Sequence, residues 1–148
     1  MQLTGKCSTF GGPKDTGVGP HEDLALYEGK DVAAAAPGLF LARQPDGTTG
    51  TARRLNPDGY YCAMRWAYTP AQCAKDTNHL GTRLQKCTPR GWLRDNVVSV
   101  RANGKTIQVR AVDWGPNGET DRIIDLSPGA AEELGVQTND EVTVILLE

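Results

Sequence analysis

The stretch from 109 to 135, VRAVDWGPNGETDRIIDLSPGAAEELG, constrains the fold more than any other part of the chain. It holds two short apolar runs, one ending in Asp113 and one leading into Asp125, separated by a turn rich in glycine and proline. Val109 and Ala111, then Ile123 and Ile124, read as buried strand, so each aspartate stands where a strand leaves the core and a turn or helix begins. A carboxylate in that position is costly to bury unless something pairs with it. Two readings follow. Each aspartate can organise its turn, Asp113 through the amides around Trp114-Gly115-Pro116 and Asp125 by bracing the helix start at Ser127-Pro128. Alternatively, the pair carries chemistry.

The neighbouring segments fit the same plan. Residues 96–110, NVVSVRANGKTIQVR, read as paired strands with Asn103-Gly104 as the hairpin turn. A short helix is expected from Ser127 to Leu134, ended by Gly135, and a last strand from Val142 to Leu147. With 148 residues, 39% of them hydrophobic, the chain is one domain able to bury its own core. Three zones are visible. Residues 1–31 are glycine-rich and loop-like, with Leu24-Ala25-Leu26-Tyr27 as a short strand. Residues 32 to about 92 carry Pro37, Pro45, Pro57, Pro70 and Pro89, with turn signals at Pro45-Asp46-Gly47 and Pro57-Asp58-Gly59, and read as an insertion or elaborated connection. Residues 93–148 complete the fold.

The motif carried by Val109, Ala111, Asp113, Gly115 and Pro116, then by Arg122, Ile123, Ile124, Asp125, Leu126, Ser127, Ala130, Ala131, Leu134 and Gly135, resembles the C-terminal half of a double-psi β-barrel of the rare lipoprotein A type, a relative of expansins. A shorter stretch, Cys7-Ser8-Thr9-Phe10-Gly11-Gly12-Pro13-Lys14-Asp15-Thr16-Gly17, is similar to the opening of expansin domains, where a Ser/Thr-aromatic-Gly strand precedes a loop aspartate. Gly11 stands where that family's tyrosine is expected, and no histidine precedes Asp125. The resemblance implies a mainly β fold, a six-stranded double-psi β-barrel with short helices and an irregular insertion at about 32–92, spanning 1–148 as a single domain. It further implies that Asp15 and Asp125 lie across one groove.

Other chemistries find little support. His21 and His79 are the only histidines, no G-x-S-x-G elbow occurs, and GGPKDTGVG lacks the G-K-[ST] ending of a phosphate loop. Cys7, Cys62, Cys73 and Cys87 have no C-x-x-C spacing, so no metal site or cofactor is expected; a loose set of Cys73, His79 and Cys87 is the weak exception. The cysteines are either two disulfides or free buried thiols. A net charge of -2 argues against bulk nucleic-acid binding. The charge is nevertheless uneven: seven basic residues against Asp95 between Arg83 and Arg110, then nine acidic residues against Arg122 from Ala111 to Glu148. This polarity belongs either to solvated strand faces or to a groove that orients an anionic wall polymer.

The apolar run from 32 to 36 is far too short to span a membrane, and the first twenty residues lack the features of a secretory signal. Work outside the cytoplasm, in the cell envelope or a phage virion, then implies a leader already removed or another route such as phage lysis. Tyr60, Tyr61, Trp66 and Tyr68 are four of nine aromatics, a concentration that serves either a core or a sugar-binding groove. Trp114, in a turn, is the better single platform.

The resemblance implies peptidoglycan or a related polysaccharide as partner, alongside other virion or cell-envelope proteins. Cleavage needs one carboxyl, protonated because its surroundings raise its pKa, to give its proton to the glycosidic oxygen. Asp125 is the expected acid, since Ile123, Ile124 and Leu126 supply apolar surroundings. Asp113 or Asp15 would stabilise positive charge or activate water, while Thr9, Phe10, Trp114, Tyr61 and Trp66 are expected to hold the substrate. In the lytic transglycosylases that share this barrel, a hydroxyl of the substrate sugar replaces water. The alternative is a non-catalytic, expansin-like module that binds wall glycan or builds a phage particle.

Overall fold

The computed structural model describes residues 2–13, 15, 17–26, 38–43, 47–65, 97–116 and 120–146. Six strands, β1 (Gln2–Thr9), β2 (Tyr61–Ala63), β3 (Val97–Ala102), β4 (Lys105–Asp113), β5 (Arg122–Leu126) and β6 (Glu141–Leu146), close into a barrel in the order β1-β5-β2-β4-β3-β6. β1 runs parallel to β5 and β2 parallel to β4; the remaining neighbours are antiparallel. This is the expected six-stranded double-psi β-barrel. Among the described residues, a single 3-10 turn (Ala52–Arg54) and one helix, α1 (Pro128–Leu134), complete the regular structure.

Alternation builds the interior. In β6, Val142, Val144 and Leu146 point inward while Glu141 faces solvent, and in β3 Val98 and Val100 do the same. They meet Val109 and Ala111 of β4 and Ile124 and Leu126 of β5 in one core. Asn103 and Gly104 turn β3 into β4 with φ of 53° and 77°, the left-handed pair that a two-residue hairpin requires. Ser127 caps α1 by accepting from Ala130 N at 3.1 Å, Pro128 opens it, and Gly135 closes it in the left-handed region.

Three sequence expectations change. Residues 2–9 form a long strand, although the N-terminal zone reads as loop; Gly5 and Lys6 interrupt the apolar alternation that would have marked it. Leu24-Ala25-Leu26 is a bend, not a strand. Its side chains at 24 and 26 are buried, but its donors are spent elsewhere: Leu24 N on the Thr51 hydroxyl, Ala25 N on the Asp113 carboxylate and Leu26 N on Val112 O. Finally, Tyr61–Ala63, inside the stretch read as a connection, is a barrel strand between β5 and β4. The last strand ends at Leu146. Tyr27, Trp66, Tyr68, Cys73, His79, Cys87, Leu147 and the turn residues Pro45 and Asp46 lie outside the described residues, as does the basic run from Arg83 to Arg94. Among the described residues no helix is long and apolar enough to cross a membrane.

Candidate active site

Strand register brings the two aspartates together. Ala63 of β2 pairs with Asp113 on one side and with Asp125 on the other, so both carboxylates sit at one level of the barrel wall, flanking the smallest side chain available. Ser8 of β1 pairs with Asp125 from the far side of β5, and its hydroxyl donates to Asp125 Oδ1. Gly115 closes over the same carboxylate: a side-chain carbon at 115 would come within 2.8 Å of Asp125 Oδ2. The glycine of the D-x-G-P motif is thus required by close approach, which the sequence alone does not reveal.

Asp125 is half-buried. Burial pushes its carboxyl above the ordinary carboxylate range; the Ser8 hydroxyl and Arg122 pull it down, the Asp113 charge pushes it up, and Arg65 pulls it down again. Asp113 is also raised, chiefly by burial, against the stabilising N–H donors of Ala25 and Trp114 and with a further push from Glu22. Both donors bind its Oδ1, at 3.0 and 2.9 Å. Asp113 therefore does what its turn-organising reading requires and also presses on Asp125. Asp125 accepts its hydrogen bond from a side chain instead, and the cap of α1 belongs to Ser127.

Asp15 lies in a different setting. Its carboxylate takes Gly11 N at 2.7 Å and Gly17 N at 2.9 Å, which folds the loop after β1. It lines a cleft of about 440 Å³ with Thr9, Phe10, Gly12, Pro13, Pro57 and Pro128, in which neither Asp125 nor Asp113 takes part. Phe10 stands edge-on to Tyr61, centroids 5.2 Å apart. Tyr61 itself is 0% exposed and donates its hydroxyl to Phe10 O at 3.1 Å, so its ring supports the cleft from below and offers no face to a ligand. The same ring explains the glycine at 11, where a side-chain carbon would lie 2.3 Å from the Tyr61 hydroxyl. Trp114 is half-buried and packs on the core. A second cleft, of about 510 Å³, lies on the outer wall beside Tyr60, Gln108 and Arg110.

Two site residues escaped the sequence reading. Ser8 carries no signal without knowledge that β1 and β5 are parallel neighbours. Arg65 is 3% exposed and follows a strand only three residues long.

The lytic transglycolase family model, a double-psi β-barrel, matches residues 66–146, more than half of the chain. The chain belongs to this family. The matched family segment includes Asp113, Gly115, Arg122 and Asp125, while β1 and β2 precede it. Among solved structures, the chain is similar to the Streptomyces papain inhibitor, at 19% identity over 100% of this chain and 96% of that one with a TM-score of 0.48. It is also similar to two rationally designed proteins, mkDPBB_sym1 and mkDPBB_sym2, at 16% and 19% identity, over 60% of this chain and 99% of theirs, each with a TM-score of 0.35. No curated protein matches. Cys7 and Cys62 are buried free thiols.

Proposed function

We propose that this protein, as a single barrel domain, cleaves peptidoglycan glycan strands in the manner of a lytic transglycosylase, outside the cytoplasm, with Asp125 as general acid. The observation that carries this reading is the Asp125 environment: a half-buried carboxyl raised above its ordinary range, held by the Ser8 hydroxyl and pressed by the Asp113 charge. A carboxyl that keeps its proton nearer neutral pH is what leaving-group protonation needs. The proton passes from Asp125 to the glycosidic oxygen, and the C–O bond breaks with its electron pair leaving on that oxygen. A hydroxyl of the same sugar then attacks the anomeric carbon, closing an anhydro ring, and its proton returns to the Asp125 carboxylate.

One acid suffices for this cycle. Asp113 and Asp15 each accept two backbone N–H groups, roles that hold their loops and are not needed for the proton transfers. Asp113 acts instead by its charge. Thr9 and Phe10 line a cleft that continues from the end of β1, with Asp15 at its edge, and are proposed to hold a sugar there.

The second reading, a non-catalytic glycan-binding or virion module, has an observation in its favour: neither cleft is lined by Asp125. Digestion of purified peptidoglycan, with mass spectrometry of the released fragments, separates the two. Anhydro-muropeptides from the wild type and none from Asp125→Asn support cleavage. Retention on sacculi with no fragment released supports the binding module.

A further inference from the structure

Arg65 is the most anomalous charge in the described residues. It is 3% exposed, and among the described residues its guanidinium makes one hydrogen bond, from Nη2 to Arg122 O at 2.8 Å, while Nε is buried without a partner. It forms no ion pair with a described carboxylate. A buried cation is costly unless its charge is answered, and a single bond to a carbonyl asks only for a neutral N–H donor. The charge itself is left unexplained by that bond.

The chain path supplies an explanation. Beyond Ala63 the backbone stays along β4, Met64 N donating to Asp113 O at 3.2 Å. In an extended course residues 63 and 65 share a face. Ala63 is the residue that pairs with both Asp113 and Asp125, and Arg65 reaches across to the first residue of β5, the strand that bears Asp125. The guanidinium is therefore tethered to the strand that bears Asp125, one strand away from that carboxylate and near enough for its charge to favour the carboxylate form.

We propose that Arg65 is a positioning residue, a fixed buried counter-charge that joins the Ser8 hydroxyl and Arg122 in taking up the negative charge left on Asp125 each time it gives its proton away. This rests on the assignment of Asp125 as the acid. Such an acid has two demands on its surroundings: burial and the Asp113 charge hold the proton on, and something must stabilise the carboxylate once the proton has gone. A mobile surface cation would be screened by water and would compete for the substrate. A guanidinium tied to the barrel wall is neither screened nor mobile, and its charge does not titrate.

The test reads Asp125 directly. In the full-length chain with no glycan present, the Asp125 side-chain carboxyl carbon is followed by NMR against pH, Asp125→Asn assigning the signal. The groups facing Asp125 are Ser8 and Cys7 from β1, Cys62 from β2, Asp113 from β4, Arg122 on its own strand, and Arg65. All but Arg65 stay unchanged. Arg65→Met is expected to move the midpoint up by about half a unit, whereas Arg65→Lys, which keeps the charge, moves it by less than half as much. An R65M chain that folds only in acid, where Asp125 is neutral, supports the proposal equally. A midpoint that stays within about 0.2 unit, or an R65M chain unfolded at every pH, overturns it and leaves Arg65 as a structural tie. Because no cleavage is measured, failure of the glycan-cleaving assignment and failure of this one are told apart. If cleavage is confirmed, the acid-to-neutral limb of the rate profile moves with the NMR midpoint.

Discussion

At the residue scale the site is governed by competition between burial and hydrogen bonding at one carboxyl. Ser8 opposes burial, so Ser8→Ala removes a group that favours the charged form and drives the Asp125 midpoint higher, a shift visible in the same carboxyl titration. Asp125→Asn is expected to lower fragment release by about 100-fold or more, the usual scale of general acid catalysis. The same substitution has a stability signature with a definite sign. Asp125 and Asp113 have raised folded-state pKa values, so the stability linked to them is fully present below the ordinary carboxylate range and is lost as pH rises through those raised values. Asp125→Asn is spared its share of that loss. It is expected to gain on the wild type in thermal melts as pH rises towards neutrality and to lose that gain in acid. An activity-dead variant with an unchanged melting profile at all pH values would contradict the account of Asp125.

At the scale of elements, the turn after β4 and the cap of α1 hold the site in shape. Gly115 approaches Asp125 so closely that Gly115→Ala must displace either the turn or the carboxylate. The expected result is a folded protein with perturbed Asp125 resonances and reduced cleavage. Ser127 is wholly buried and serves two backbones, accepting from Ala130 N at 3.1 Å and from Tyr61 N at 3.4 Å. Ser127→Ala deprives the helix start and β2 together, with an expected cost of about 1 to 2 kcal/mol in urea unfolding. The helix and its Gly135 stop were legible because such signals are local, written within nine residues, whereas the brace expected of Asp125 at the helix start is supplied by Ser127. The bend at Leu24-Ala25-Leu26 was not, because its donors are captured by Thr51, Val112 and Asp113, far away in sequence.

At the scale of the whole molecule, closure of the barrel sets reactivity as well as shape. Cys7 and Cys62 are buried free thiols, and burial pushes both above the ordinary thiol range. Alkylation of the native chain followed by peptide mass spectrometry is expected to leave both unlabelled until denaturant opens the barrel, when both react together. Labelling of either in the native state would mean that β1 or β2 detaches independently of the rest.

The sequence by itself determined the late hairpin, the two aspartates near strand ends and the helix with its glycine stop, since period-two burial, turn residues and helix stops act between near neighbours, while the barrel class was implied by the resemblance of the 109–135 motif. Tertiary structure alone decided which carboxylates influence one another. Asp113 and Asp125 flank Ala63 because β2 slots between β4 and β5, and Asp15 turns to its own loop because two amides there satisfy it. Ser8 and Arg65 join the site only through strand neighbours remote in the chain, and the pairing of remote strands depends on closure of the barrel, which no local pattern encodes.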